Sequence, residues 1–425
     1  MKKVLLIGSG GREYALAKKM AASEMVEIVY RAPGNGGEID KTVCIDISAK
    51  DINGLKIFAE LKGIDLVVVG PEDPLVMGIV DAFEELSIDI IGPRKSAARL
   101  EGSKIFTRKI LQEYDIPSPE FYVFDSTKDA EMFIRDSKYY PCVIKVDGLA
   151  AGKGAMVCKN HDDVVKALAR IDSGEFGDPS DPFLIEDCLI GEETSYIVMV
   201  DLNGNVLPLA SSQDHKAEFD GDKGRNTGGM GAYSPAPVLN DDVEISTLTR
   251  IVFPLIKAMK EKGTPFSGFL YVGLMVDKDG NPFVVEFNVR LGDPETQPLL
   301  ARMKSDLIWL FFNLLNGNLD SVEIEWEDMV AVTVVMAENG YPGDYDKGNT
   351  IKGIPEAEAT GAIVDLAGVK SEDGVVKTAG GRVLGVTGLG ADHGFAIRKA
   401  YQAVREITWG SEYFRTDIGQ KAINR

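Results

Sequence analysis

The stretch Pro141–Gly154 reads PCVIKVDGLAAGKG. Its apolar run Cys142–Val143–Ile144 predicts a short buried strand that delivers Lys145. Asp147 and Gly148 then turn the chain into a small loop ending in Gly152–Lys153–Gly154. Glycines let backbone N–H groups approach phosphate oxygens closely, and lysines balance their charge. A strand ending in a cation, followed by a glycine loop with a second cation, therefore suits a polyphosphate. The loop is not a Walker A motif: the glycine spacing is short, and Gly154 stands where the metal-binding hydroxyl belongs. Read alone, it is equally compatible with a solvated hairpin tip.

The chain before it alternates strand and helix. Val4–Ile7, Val26–Tyr30, Val43–Ile47, Leu66–Val69 and Asp89–Ile91 read as strands. Arg12–Met20, Asp51–Lys62 and Pro74–Glu85 read as helices. This pattern predicts a doubly wound parallel α/β domain over about 1–103. Its first turn, Gly8–Ser9–Gly10–Gly11, opens a helix, whose N–H groups suit an anion. A dinucleotide fold is not indicated, because Glu13 and Arg31 stand where that fingerprint needs a glycine and an acid.

From about 104 to 327 a second domain is expected, with a small α+β lid over about 121–190. A helix is expected from Leu100–Lys104 to about Tyr114. Strand Phe183–Glu186 runs into Asp187–Cys188–Leu189, a connector able to offer backbone groups to an adenine edge. Gly191–Glu192–Glu193 places an acid where ribose hydroxyls bind; an acidic turn between strands is the plainer reading. Thr194–Val200 reads as an alternating strand. Asn226–Thr227–Gly228–Gly229–Met230–Gly231 lets backbone come close to a small ligand. In Pro282–Arg290, PFVVEFNVR, a period of two puts Glu286, Asn288 and Arg290 on one face and Val285, Phe287 and Val289 on the other. Carboxylate and amide oxygens are the hard ligands that Mg²⁺ takes beside phosphate oxygens, and a neighbouring arginine steadies charge developing in group transfer. From about 328 to 425 an antiparallel-rich α+β domain is expected, capped by a helix from about His393 to Glu406.

Bulk properties bound the function. A chain of 425 residues, 44 % hydrophobic and 26 % charged, is a multidomain globular protein. A net charge of −20 argues against a nucleic-acid partner. The first apolar run stops at Gly8, too short for a signal peptide or a membrane span, so no membrane partner and a cytoplasmic location are expected. Four scattered cysteines without a CxxC pair read as buried free thiols, and three histidines argue against a His-rich metal site.

Taken together, the lysine before a glycine loop, EDCL followed by GEE, and EFNVR resemble the ATP-grasp superfamily. GSGGRE, APGN, VGPEDPL, LEGSK, IKVDGLAAGKG, SQDHK, NTGGMGAYSP, GDPETQ, YPGDY and FRTDIG extend the resemblance, nearly end to end, to the phosphoribosylamine–glycine ligase family. The resemblance implies an ATP-dependent ligation of glycine to phosphoribosylamine through a glycyl phosphate, with ADP and phosphate released. Another ATP-grasp carboxylate–amine ligase or carboxylase with a different acceptor is the alternative. It implies that Lys104, Lys145, Asp147, Gly148, Gly152, Lys153, Gly154, Glu186, Leu189 and Glu193 bind ATP. Glu286 and Asn288 would hold Mg²⁺ or Mn²⁺, and Arg290, with Lys145, would be catalytic. Gly10, Arg12, Glu13, Asp214, Lys216, Thr227, Gly228, Gly229 and Asp293 would bind the other substrates. The partners implied are these small molecules alone, and a monomer is expected. The sequence departs from the family at Tyr14, where histidine is usual, and at Val289 and Leu291 in the metal strand. The strand Gly268–Leu274 lacks the acid that many ATP-grasp enzymes carry there.

Overall fold

The computed structural model describes residues 1–150 and 154–424. The expected N-terminal unit is a five-stranded parallel sheet in the order Thr42–Cys44, Val26–Pro33, Lys2–Gly8, Leu66–Val69, Asp89–Ile91. Continuous apolar runs such as Val4–Ile7 and Leu66–Val69 are buried on both faces, as helix-covered parallel strands must be. The single helix expected over Pro74–Glu85 is instead two short ones, Glu72–Met77 and Ile79–Glu84, because Gly78 sits between them at φ +100°. The helix expected from Leu100 is also divided. Leu100–Gly102 ends the helix Lys95–Gly102, and extended Ser103 caps a new helix, Lys104–Glu113, by accepting from Phe106 N–H at 3.1 Å.

Three larger antiparallel sheets follow, beside two two-stranded ones. The lid sheet runs Phe121–Phe124, Phe183–Asp187, Cys142–Val146, Ala155–Cys158. The central sheet runs Val206–Pro208, Glu192–Val200, Gly268–Val276, Pro282–Asn288. Thr194–Val200 is buried throughout rather than alternating, because both faces of the central sheet are covered. One face joins the N-terminal sheet in a common core with Tyr196, Val198, Leu270, Val284 and Phe287. The other packs Ile197, Met199 and Phe269 against the helix Leu307–Leu315. The lid has a separate core built on Ile144, Cys142, Ile185 and Leu168.

The C-terminal sheet is ordered Gln213–Asp214, Gly231–Ser234, Val330–Glu338, Arg382–Gly390, Ile363–Leu366. Two of its strands thus come from the middle of the sequence, so the sequence division near 328 is not a division of the sheets. The capping helix is His393–Val404, with Asp392 as its N-cap. Of the four free cysteines, Cys142 and Cys158 are buried as expected, whereas Cys44 lies exposed on the outermost parallel strand and Cys188 is half-buried.

Candidate functional site

Lys145 stands one residue before the end of its strand, Cys142–Val146, and it is buried. Its Nζ is paired with Glu186 Oε1 and donates to the Val285 carbonyl at 3.1 Å. Arg108 closes the same group: its Nε donates to Glu186 Oε2 at 2.7 Å and its Nη2 to the Val285 carbonyl at 2.7 Å. Burial opposes the charge on Glu186, but Lys145 and Arg108 outweigh it and hold the carboxyl below its usual range. Burial lowers Lys145, with Glu186 working against it. The Glu186 side chain is thus spent on a cation pair. Its backbone lies between two strands, opposite Phe121 and Val143. Only beyond Asp187, at half-buried Cys188 and Leu189, does the connector leave the sheet.

The Val285 carbonyl is available because the strand is irregular there. Gly273 pairs with Glu286 and Leu274 with Val284, so Val285 is bulged out of the ladder. The expected alternation is corrected accordingly. Phe287, Val289 and Leu291 are buried together, and Val284, not Val285, is the buried residue before them. Past the bulge, Glu286, Asn288 and Arg290 share the half-buried face as expected. Cross-strand partners share a face. Gly273 and Tyr271 therefore lie beside Glu286 and Asn288, and Ser195, opposite Gly273, continues the row. A Cβ on Gly273 would come within 3.1 Å of Glu286 Cγ. Glycine there leaves the Glu286 side chain its room.

Glu286 is held ionised. Burial opposes this, but Lys216, Lys145, Lys104 and Arg290 bring its carboxyl down to about 2. Lys216 Nζ lies 3.5 Å from Glu286 and is paired with Glu193. Asn288 Oδ1 accepts from Arg290 Nη2 at 3.2 Å. No group of three or more His, Cys, Asp or Glu side chains is arranged around a metal position among the described residues. An ionised carboxylate beside an amide oxygen fits Mg²⁺, which takes one or two protein oxygens and completes its shell with phosphate oxygens and water. Arg290 is gripped from the N-terminal domain by Glu72 at 3.1 Å and Glu101 at 3.0 Å.

The glycine loop is tied to the start of the helix Lys104–Glu113. Asp147 accepts from Ser103 Oγ at 3.0 Å and from Ile105 N–H at 3.0 Å, and Lys104 Nζ donates to the Gly148 carbonyl at 2.8 Å. Lys104 and Asp147, both expected at ATP, thus engage each other's segments. Gly148, at φ +90°, has open space where a side chain would be, and the Gly154 carbonyl accepts from Val146 N–H at 3.0 Å. Gly152 and Lys153 lie outside the described residues.

On the substrate side, the N-terminal turn is occupied by the chain's own acid. Gly10 N–H donates to Glu13 Oε2 at 2.6 Å, and Arg12 Nε to Glu13 Oε1 at 2.5 Å. Arg12 also donates to the Leu291 carbonyl at 2.9 Å, which fixes the exit of the strand Pro282–Asn288 to this turn. Tyr14 keeps a polar contact: buried, its hydroxyl donates to the Glu38 carbonyl at 3.1 Å. Asp293 accepts from Gln297 at 2.9 Å and from Arg382 at 3.2 Å. Although half-buried, it is kept below its usual range chiefly by Arg382 and Arg12. Gly228 and Gly229 lie beneath Arg382, which donates to the Gly228 carbonyl, while Gly228 N–H donates to Tyr341 at 3.0 Å. Thr227 Oγ1 donates to the Lys216 carbonyl at 2.9 Å and accepts from Gly229 N–H at 3.0 Å. Asp214 sits against Gly229, whose φ is +108°.

Several site residues were not expected. Arg108, Glu72, Glu101 and Arg382 bind expected residues directly. Glu295 accepts from Tyr271 at 2.9 Å and Ser195 at 3.1 Å, above the Glu286 row. Glu72 and Glu295 lie in the quoted motifs VGPEDPL and GDPETQ, and Glu101 in LEGSK. Tyr271 and Arg108 carry no local signal, since each sits in an ordinary strand or helix pattern.

Three family models match in order: phosphoribosylglycinamide synthetase N domain at residues 2–101, ATP-grasp (A) domain at 102–296 and C domain at 331–421. The phosphoribosylamine–glycine ligase of Escherichia coli strain K12 is 48 % identical over 427 residues, covering 100 % of this chain and 99 % of the relative. That of Vibrio parahaemolyticus is 46 % identical over 426 residues, with the same coverage. Among solved structures, the phosphoribosylamine–glycine ligase of Thermotoga maritima superposes with a TM-score of 0.82 at 31 % identity, covering 98 % of this chain and 99 % of that one. Biotin carboxylase from Campylobacter jejuni shares the fold, with a TM-score of 0.73 at 17 % identity over 100 % of this chain and 95 % of that one.

Proposed function

The chain belongs to the phosphoribosylglycinamide synthetase family, and on that premise we propose how its residues divide the family's reaction. It is an ATP-dependent ligase that joins glycine to phosphoribosylamine in purine biosynthesis. ATP is its co-substrate. The carboxylase alternative is not favoured, since carboxylase structures resemble this chain at 15–18 % identity, in fold alone.

One observation carries the residue assignment: four cations from separate segments, Lys104, Lys145, Lys216 and Arg290, bear electrostatically on the single carboxylate Glu286. That concentration of positive charge matches a triphosphate. Lys145 and Lys104 face the phosphates, and the loop from Asp147 to Gly154 folds over them. Glu186 keeps Lys145 charged and aimed, and Cys188–Leu189 offers backbone to adenine. Glu193 turns from Lys216 to the ribose hydroxyls. Glu286 and Asn288 hold the divalent cation, Mg²⁺ or Mn²⁺. When bound, that cation supplies charge neutralisation on the transferring phosphoryl group. Mg²⁺ with ADP is present in one fold neighbour, the 2-oxoglutarate carboxylase domain of Hydrogenobacter thermophilus.

In the first step a glycine carboxylate oxygen bonds the γ-phosphorus and the bond to ADP breaks. In the second, the amine of phosphoribosylamine bonds the acyl carbon, phosphate leaves, and the amine loses a proton. Arg290, fixed by Glu72 and Glu101, steadies the charge on the transferring group. In this proposal the enzyme acts as a monomer in the cytoplasm. Among the described residues no helix is long and apolar enough to cross a membrane. The test is ADP release with glycine and phosphoribosylamine supplied together and singly. Release only with both supports the assignment; faster release with bicarbonate or another amino acid overturns it.

A further inference from the structure

The motif FRTDIG, residues 414–419, has no part in the reaction above, yet it carries Arg415, the largest fully buried side chain among the described residues. Its Nε and Nη2 donate to Asp417, each at 2.7 Å. Its Nη1 donates to Asp222 and to the Ala217 carbonyl, each at 3.1 Å. Taking a guanidinium out of water is costly, and an apolar side chain often packs as stably, so stability alone does not call for one here.

Arg415 is one bond of a clasp. Thr416 N–H donates to Asp220 at 2.8 Å, Gly221 N–H to Asp417 at 2.8 Å, and the Tyr413 hydroxyl to the Glu218 carbonyl at 2.8 Å. The C-terminal segment thereby grips the antiparallel hairpin of Ala217–Phe219 and Lys223–Asn226 from its first residue to its turn. The two ends of that hairpin are cleft residues. Lys216 leads into it and Thr227 leaves it, and Thr227 N–H and Oγ1 both donate to the Lys216 carbonyl, at 2.7 and 2.9 Å. Arg415 holds the next carbonyl along, that of Ala217. On the preceding residue, His215 Nε2 accepts from Gly419 N–H at 3.4 Å. The C-terminal segment therefore fixes the chain on both sides of Lys216. The Lys216 Nζ is paired with Glu193 and stands 3.5 Å from Glu286. A lysine head rides on a flexible stem, so where it reaches depends on where its backbone is held.

We propose that Arg415 is a positioning residue for Lys216: by clamping the Ala217 carbonyl it sets the ammonium between Glu193 and Glu286. This rests on the ligase reading above, in which Lys216 is one of the four cations around the triphosphate. Among the described residues Arg415 makes no bond to Lys216 itself, and it acts through the backbone. When Glu193 turns to the ribose and Glu286 to the metal, Lys216 gives up both carboxylates, and its backbone anchorage keeps the ammonium in the cleft.

The experiment is a double-mutant cycle read as kcat/KM for ATP, with glycine and phosphoribosylamine saturating. Arg415→Met lowers it about 100-fold, the cost of misplacing a group by about 1 Å. Lys216→Met lowers it at least as much. The KM for phosphoribosylamine stays within about threefold in Arg415→Met. In the Lys216→Met background, Arg415→Met costs less than about twofold, since no ammonium is left to misplace. Equal losses from Arg415→Met in the two backgrounds mean a role in stability alone and overturn the assignment. Should Arg415→Met misfold, Tyr413→Phe/Thr416→Val loosens the clasp while leaving the buried charges in place, and it enters the cycle under the same criterion. If Lys216→Met itself leaves kcat/KM for ATP unchanged, the placing of Lys216 among the cations of ATP fails first and the proposal with it, which distinguishes the two failures.

Discussion

Glu101 grips Arg290 with one carboxylate oxygen, at 3.0 Å, and the Val289 N–H with the other, at 2.7 Å. Arg290, to which we assign the charge on the transferring group, is thereby set by a residue almost two hundred positions earlier, on the helix Lys95–Gly102. Burial raises the Glu101 carboxyl to about 7, and Arg290 is the main group opposing that rise. The same short segment, through Ser103 and Lys104, holds the glycine loop. One helix junction thus touches both the end of the strand Pro282–Asn288 and the lid.

Arg290→Ala should keep ATP binding and lower kcat by about a hundredfold or more, the usual loss for a preorganised charge stabiliser. With the arginine gone, Glu101 stays protonated to higher pH. Because a raised carboxyl favours the fold only while protonated, the variant should lose stability as pH rises through neutrality. Near-normal turnover removes Arg290 from the mechanism; denaturant melts at several pH values check the second half.

Lys145→Met should destabilise the lid by about 3 kcal/mol, since it leaves the buried Glu186 carboxylate with Arg108 as its remaining partner. Activity should be lost as well. The double variant Lys145→Met/Glu186→Gln should recover stability without recovering ADP release, which separates the lysine's two roles. Urea unfolding and the ADP assay read them independently.

Asp147→Ala should untie the glycine loop from the helix Lys104–Glu113. Protease cutting near 148–154 should then quicken in the free enzyme, and a non-hydrolysable ATP analogue should protect less. Ser103→Ala should do the same more weakly, while costing about 1 kcal/mol through the lost helix cap. Unchanged cutting rates in both variants would falsify the latch.

His215 should make the protein acid-sensitive. It is buried, and burial, helped by Lys421 and Arg415, lowers its imidazole to about 4. A depressed histidine stabilises the fold above its unfolded value, about 6.5, and that stability is lost as pH falls toward 4. The loss should approach 3 kcal/mol, roughly, at full effect. His215→Gln should be less stable at neutral pH but show a flatter slope between about 6.5 and 4 in pH-dependent melts.

Much of this architecture is legible in the sequence because its signals are local. The Val4–Ile7 run, the Gly8–Gly11 turn and the PCVIKVDG loop each state their own conformation. Glu286, Asn288 and Arg290 are legible because strand spacing puts them on one face, and Lys145 because it stands just before the glycine loop. What stays hidden depends on pairing. The bulge at Val285 follows from register with Gly273, which no local pattern encodes. Tyr271 reads as a core aromatic in an apolar run, and only Ser195 and Glu295 reveal its hydroxyl. Gly78 and Ser103 break expected helices through backbone geometry that surrounding helix formers mask.

The strands Gln213–Asp214 and Gly231–Ser234 have a consequence for how this protein can be recombined. They belong to the sheet of the C-terminal part although they lie in the middle of the chain. Exchanging residues 328–425 with a relative would graft a sheet whose partner strands stay behind. A working chimera would have to carry both pieces across together. Modularity in this chain is therefore a property of the sheets and not of the linear order.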